Sequence, residues 1–417
     1  MRTLKFYISK NHPDYNIVKQ HSTQARRLFN TLNKLQYEKQ DYLKDNTINT
    51  PVSNGLKVNI LKDNVEKKRK IIHKELNIEL PQKVSQSISR DFKTVWDNII
   101  KKRMKGQIAG DIRYKKQFSK IIYNTQAISR KNGLNSIIPS GWSTGFKLPN
   151  HILLSQVKSA EVKTTPDGFL LIVNYTNNNE NTIINDSNII AAGDLGIDNL
   201  ITIITTNNSR PKNVNGKLLK SKNRYYNKKI AKLRSKKSSC KDSYNKNIIQ
   251  KNIDRLWFKR DKEFNHLLHS ISNEVVKYLM SQKVSEFIIG WNNGFKQNIN
   301  IGYKNNQSFA FMPLAKFKNM LTYKCENVGI KVIVVEESYT SKASFIDNDT
   351  LPVYDPDNNV KYVFSGYRKH RGEYVSKNGL IIHADVNAAW NIARKCKPSI
   401  GWCSGVVVTP ERLKITY

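Results

Sequence analysis

Two short acidic segments, far apart in the chain, constrain its fold more than any other feature. The first is Ala192-Gly193-Asp194-Leu195-Gly196-Ile197-Asp198, preceded by the apolar run Asn188-Ile189-Ile190-Ala191-Ala192 and followed by Leu200-Ile201-Thr202-Ile203-Ile204. That pattern predicts a strand carrying an acid, a tight glycine turn and an antiparallel return strand. The second is His383-Ala384-Asp385-Val386-Asn387-Ala388-Ala389-Trp390-Asn391-Ile392. Its Ala388, Ala389 and Ile392 recur at helical spacing, so Asp385 falls at a helix N-terminus, where the macrodipole favours negative charge. Carboxylates in such places suit hard divalent metals acting on phosphodiesters, provided the rest of the chain attracts a polyanion.

It does. Lys and Arg number 70 against 33 Asp and Glu over 417 residues, a formal charge of +37. Solubility needs far less, so a nucleic acid is the expected partner. No basic amphipathic anchor and no bilayer-length apolar run is present, so no membrane association is expected. The opening Met1-Arg2-Thr3-Leu4-Lys5-Phe6-Tyr7 alternates like a strand and lacks a signal-peptide core, which predicts a cytoplasmic protein. Cys240, Cys325, Cys396 and Cys403 form no CxxC pair, so neither a zinc site nor a disulfide framework is expected.

Hydrophobic periodicity divides the chain into three stretches. Residues 1–10 read as a strand, and residues 14–105 as helices separated by polar loops. One helix is expected over Gln20 to Tyr42, with Ala25, Leu28, Leu32 and Leu35 inward. Another is expected over Gln82 to Met104, with Val84, Ile88, Phe92, Val95, Trp96 and Ile99 on one face. From 110 to 180 the period falls to two, as in a small β-barrel that the N-terminal strand would complete. From 187 onward the pattern is α/β, interrupted by a basic helical hairpin between Gly216 and Lys283. Every charged residue from Gly216 to Cys240 is positive: Lys217, Lys220, Lys222, Arg224, Lys228, Lys229, Lys232, Arg234, Lys236 and Lys237. An acid-free run of this kind is read as phosphate-binding.

An RNase H-like nuclease needs three or more carboxylates around two Mg²⁺ or Mn²⁺ ions about 4 Å apart. Asp194 and Asp385 fit two of the positions. Glu336 and Glu337, ending the strand Lys331 to Val335, supply the third. They point to opposite faces, so only one aims at the metals, and Glu337 is placed first. His266 and His269 lie three apart on a helix among Leu267 and Leu268, and are read as packing residues. Gly290, Gly294 and Gly302 make no phosphate loop, since no Gly-Lys-Ser/Thr follows.

These residues, with Tyr339-Thr340-Ser341-Lys342-Ala343-Ser344, resemble the TnpB nucleases of insertion sequences, RNA-guided relatives of the type V CRISPR effectors. The resemblance implies an N-terminal wedge β-barrel with an inserted helical recognition lobe, followed by an RNase H-like (RuvC) α/β nuclease domain. On that reading 1–14 is the first wedge strand, 15–108 the recognition lobe, 109–182 the wedge barrel and 183–417 the nuclease domain. Within the last, 216–283 is the basic insertion and 338–382 a degenerate zinc ribbon. The resemblance also implies a guide RNA from the transposon end, double-stranded DNA cut beside a short transposon-associated motif, and a prokaryotic cytoplasm.

Two departures from the family pattern stand out. The usual second catalytic Glu ends the strand that here reads Phe287-Ile288-Ile289-Gly290-Trp291-Asn292-Asn293, where no acid stands. A subgroup instead carries Glu-Glu-Ser-Tyr-Thr-Ser on the next strand, from which a long Glu side chain could reach the same metals if the strands are adjacent. The zinc-ribbon CxxC is also missing, with Ser344 and Asp347 in its place, and Arg368 and Arg371 in that loop are expected to touch nucleic acid directly. Two other readings stay open: a nuclease-inactive, RNA-guided DNA-binding repressor, and an RNA-free transposition accessory or structure-selective nuclease.

Overall fold

The computed structural model describes residues 2–45, 76–115, 120–129, 135–150, 152–176, 187–292, 311–354, 360–370, 372–401 and 408–416, with scattered positions from 65 to 74. Arg371, Cys403, Gly294 and Gly302 lie outside the described residues. The chain divides into two compact units, Met1–Glu180 and Asn181–Tyr417.

The first unit holds strands β1 (Arg2–Ile8), β2 (Lys120–Asn124), β3 (Ile128–Ser129), β4 (Ser136–Pro139), β5 (Phe146–Lys147), β6 (Val157–Thr165) and β7 (Gly168–Tyr175), with helices α1 (Tyr15–Asp45) and α2 (Gln82–Met104). Pairing gives a four-stranded sheet, β1-β7-β6-β2, and a separate β3-β4-β5 sheet. The first strand thus docks antiparallel on a strand far along the chain. Helix α2 buries Val84, Ile88, Phe92 and Trp96, one residue per turn, and Phe92 meets Phe29 of α1 edge-on at 5.4 Å. Val95 is 43% exposed, contrary to the sequence expectation, although its angular position falls within that stripe. Asp14, fully buried, accepts hydrogen bonds from the backbone N–H and hydroxyl groups of Ser143 and Thr144. Burial alone would raise its pKa, but those donors hold it below the usual carboxylate value.

The second unit is built on strands β8 (Ile190–Leu195), β9 (Asn199–Thr205), β10 (Lys212–Asn215), β11 (Glu286–Gly290), β12 (Lys331–Val335) and β16 (Glu411–Arg412). Its helices are α3 (Lys217–Ser239), α4 (Ser243–Ser281), α5 (Leu314–Glu326) and α6 (Ala384–Cys396). The sheet runs β12-β11-β8-β9-β10-β16, with β8, β11 and β12 parallel and β9 reversed. Phe287 and Ile289 of β11 pack with residues of α4 and α5, such as Val275 and Phe317. Ile288 packs on the opposite face with Trp390 and Ile392 of α6. A strand covered on both faces reads as an unbroken apolar run, which is why β11 was legible in the sequence.

Strands β13 (Tyr367–His370), β14 (Glu373–Val375) and β15 (Ile381–His383) form a small antiparallel sheet leading into α6. The sequence suggested only a loop there. These strands are three or four residues long, and Tyr374 and Ile382 are their only fully buried side chains, too few to register as period two.

Candidate functional site

Strand β8 runs through Asp194 to Leu195, three residues beyond the apolar run, and turns back at Gly196 to Asp198. A Cβ at Gly196 would strike the Asn199 carbonyl oxygen at 2.5 Å, so this turn takes only glycine. Asp194 stands opposite Thr202 of β9, at the C-terminal end of a central strand.

Two strands away, β12 ends at Val335, in register with Gly290 of β11. Neighbouring strands lie about 4.8 Å apart, so a side chain leaving β12 must cross β11 to approach β8. Glu337 extends over the end of β11. A Cβ built on Gly290 would lie 2.9 Å from Glu337 Oε2 and 2.6 Å from Ile392 Cδ1. The missing side chain at 290 is therefore the space that the Glu337 carboxylate occupies. Asn292, just past β11, accepts the Glu337 backbone N–H at 3.0 Å, and the Thr340 hydroxyl donates to the Glu337 carbonyl at 2.8 Å. Tyr339 between them adopts φ +65°, uncommon for an aromatic residue, and turns the chain sharply.

Glu336 points elsewhere. It pairs with Lys395 of α6, whose side chain is almost wholly buried, and accepts the Ser338 N–H at 2.7 Å. Burial would raise the Glu336 pKa, but Lys395 and Ser338 outweigh it and hold the group below its ordinary value. Glu337 has no such counterweight. Burial, then the Glu336 charge, pushes its pKa up to about 7, with Lys395 opposing weakly.

Asp385 occupies the first turn of α6. His383 caps the helix by accepting the Asp385 N–H on Nδ1 at 3.3 Å. Asn199, five residues beyond Asp194, donates to Asp385 Oδ2 at 2.7 Å, and Arg368 Nη2 lies 3.7 Å from Asp385 Oδ1. The Asp194 pKa is driven well above its usual value by burial, then by the charges of Asp385 and Glu337, with Arg368 opposing. The structure therefore brings Asp385 and Glu337 within electrostatic reach of Asp194 and turns Glu336 toward Lys395.

Among the described residues no three His, Cys, Asp or Glu side chains are drawn together tightly enough to grip one ion. The donor set is three carboxylates without sulfur, which fits a hard divalent cation.

The asparagines of the second acidic segment act on the loop after Glu337. Asn387 accepts the Phe345 N–H at 2.9 Å and donates to the Ala343 carbonyl at 2.8 Å. Asn391 donates to the Thr340 carbonyl at 2.9 Å and to that of Ala343 at 2.7 Å. Helix α6 thus fixes Asp385 and the strand exit bearing Glu337 as one piece. Beyond it, Asp349 accepts the backbone N–H of Ser344 at 2.7 Å and of Ser365 at 3.0 Å. Asp347 accepts the Ser344 hydroxyl at 2.6 Å and the Lys377 N–H at 2.9 Å. At the Ser344 and Asp347 positions the chain is held by hydrogen bonds.

The ten cations between Gly216 and Cys240 divide into two groups. Lys220 pairs with Asp198 at 2.6 Å, Lys222 with Glu263 at 3.1 Å, Lys237 bonds Gln250 at 2.6 Å, and Lys229 lies 4.4 Å from the Tyr225 ring centroid. Lys217, Arg224, Lys228, Lys232, Arg234 and Lys236 are exposed. Sequence reasoning missed Asn199, Asn292 and His383. Asn199 and His383 lie inside or beside the two acidic segments, so polar residues flanking the acids were the available signal.

A family model described as OrfB_IS605, probable transposase, matches residues 174–294, and one described as Cas12f1-like, TNB domain, matches residues 315–392. No curated protein matches the chain. A solved structure titled "Cryo-EM structure of the Cas12f1-sgRNA-target DNA complex" is similar over 94% of this chain and 99% of that one, at 15% identity and a TM-score of 0.34. Another, "Cryo-EM structure of CRISPR-Cas12f Ternary Complex", covers 93% of this chain and 83% of its own, at 13% identity and a TM-score of 0.38. The first family match contains Asp194 and the second contains Glu337 and Asp385, so the two matches support the TnpB-like resemblance carried by those acidic segments.

Proposed function

We propose that the chain is an RNA-guided, divalent-metal-dependent DNA endonuclease with one nuclease site formed by Asp194, Glu337 and Asp385. The observation that carries this reading is Glu337 lying over Gly290 toward Asp194, with both pKa values raised by burial and by neighbouring carboxylates. The strand order, with parallel β12, β11 and β8 followed by a reversed β9, agrees with an RNase H-like domain. Two Mg²⁺ or Mn²⁺ ions, when bound, would supply an activated water and charge for the leaving 3′ oxygen.

The chain's own residues do the positioning. Asp194, Glu337 and Asp385 would hold the ions. Asn199 and the His383 cap orient Asp385, while Asn292 and Thr340 fix the backbone of Glu337. Arg368 keeps a cation beside Asp385 that a phosphodiester entering the site can meet. Guide pairing would read sequence, and the protein would hold the nucleic acids by backbone charge and recognise a short duplex motif. One site implies sequential cutting of the two DNA strands.

The test is cleavage of a matched duplex by the protein purified with its RNA, in Mg²⁺. Cutting by the wild type, and intact DNA with Asp194→Ala, supports the reading. Binding without cutting by the wild type would make the chain a repressor, and the absence of a defined co-purifying RNA would remove the guide.

A further inference from the structure

Helix α3 turns Leu219, Asn223, Tyr226 and Ile230 inward, where Tyr226 and Ile230 cluster with Ile253 and Trp257 of α4. Its opposite side carries Lys217, Arg224, Lys228 and Lys232, all exposed, within about a quarter of the helix circumference. Arg224, Lys228 and Lys232 are four residues apart, about 6 Å of rise per step, with Ser221 and Ser235 on the same line. Like charges four apart on a helix repel, so this file weakens the isolated helix. Other hairpin cations have internal roles, as with Lys220 on Asp198 and Lys222 on Glu263. Arg224, Lys228 and Lys232 have no ion-pair partner among the described residues. The acids of the hairpin, Asp254, Asp261 and Glu263 among them, belong to α4 or its N-cap.

The base of α3 is fixed beside the carboxylates. The Gly216 N–H donates to the Asp198 carbonyl at 2.8 Å, and Lys220 pairs with the Asp198 side chain. Asp198 and Asn199 close the turn after Asp194, and Asn199 holds Asp385. The cation file therefore starts beside the carboxylate cluster and runs along the helix for about 22 Å, from Lys217 to Lys232. We propose that this face of α3 is a rail for the DNA strand that passes the Asp194–Asp385 site, its cations meeting successive phosphates of that strand. A rail continuous with the cutting site favours the DNA being cut over the guide RNA. The inference rests on the nuclease reading for the identity of the strand, and on charge and geometry alone for the rail.

The test uses full-length protein in chelator, with fluorescent DNA and RNA of one sequence titrated across a salt series. The variant carries Arg224→Gln, Lys228→Gln and Lys232→Gln together. DNA affinity is expected to fall ten- to a hundredfold, and the slope of log K against log salt to shrink by about 2 to 3, at about 0.7 to 0.9 for each phosphate that is no longer neutralised. The charge-conserving Arg224→Lys, Lys228→Arg, Lys232→Arg variant should keep the wild-type slope, which excludes misfolding as the cause. Lys222→Gln should lower the melting temperature and change the slope by less than 1. An unchanged DNA slope in the triple variant overturns the rail, and so does a loss confined to RNA. Wild-type cleavage in Mg²⁺, measured in parallel, separates the two claims: cutting with an unchanged slope sinks the rail alone. No cutting with a reduced slope leaves a DNA-binding face and sinks the nuclease.

Discussion

Asp347 and Asp349 stand in a turn where each carboxylate is met by backbone N–H or hydroxyl donors from Ser344, Ser365 and Lys377. Asp194 and Glu337, in the same unit, are also desolvated, yet what they chiefly face is other carboxylates. The same side-chain chemistry is satisfied in one place and frustrated in the other. Buried polar groups are normally paired, so an acid cluster left short of partners is where a ligand belongs, whereas a saturated one is architecture. Glu336 and Glu337 repeat the contrast between adjacent residues, since Lys395 pairs directly with one and only partly offsets the burial of the other.

The sharpest way to break this contrast is to remove the frustrated acids. Asp194→Ala and Asp385→Ala should each lower cleavage about 10³-fold or more, with guide-RNA binding unchanged in a filter assay. EDTA should abolish cutting equally while shifting the melting temperature little, because the Ser344 turn is hydrogen-bonded. A collapse of the melting curve in EDTA would mean that the turn depends on a metal. Next comes the adjacent pair. Glu337→Gln should cost about 10²-fold or more in cleavage rate, whereas Glu336→Gln should stay within about threefold and lower stability by roughly 1–3 kcal/mol by stranding Lys395. Equal kinetic losses would erase the distinction.

Titration sharpens it further. Glu337 rises from 4.5 to about 7 in the fold, so the folded state holds its proton more tightly than the unfolded chain. Its contribution is fully favourable below about pH 4.5 and is lost as pH climbs toward 7. In chelator, Glu337→Gln should therefore become more stable than wild type as pH rises through that window, by up to about 3 kcal/mol. Calorimetry of both proteins at pH 5 and pH 8 checks the sign. The smallest effect belongs to the satisfied cluster: Asp349→Ala should reduce stability by about 1–2 kcal/mol and leave the cleavage rate per folded molecule close to wild type.

Much of this arrangement was legible beforehand. Helix α2 was expected over Gln82 to Met104 and a strand over Lys331 to Val335, and both have those bounds, because an amphipathic stripe and a short bounded apolar run each leave a clear signal. The acids at 194 and 385 were picked out by the elements that carry them. The choice between 336 and 337 was not readable, since alternation says that neighbours diverge without saying which faces the site. That depends on a residue with no side chain, Gly290, and on Lys395, far along another helix. The β13–β15 sheet escaped because its strands are short and mostly exposed, so their pairing depends on partners rather than pattern.

The notch at Gly290 has a consequence for how such a chain can change. Ile392 and the Glu337 carboxylate already fill the space above it, so a side chain there would push the ends of both aside. An acid restored to the end of β11 would not add a fourth ligand but would collide with the third. The two placements of this carboxylate compete for one space, so a side chain gained at Gly290 would displace the Glu337 carboxylate from the position it now holds.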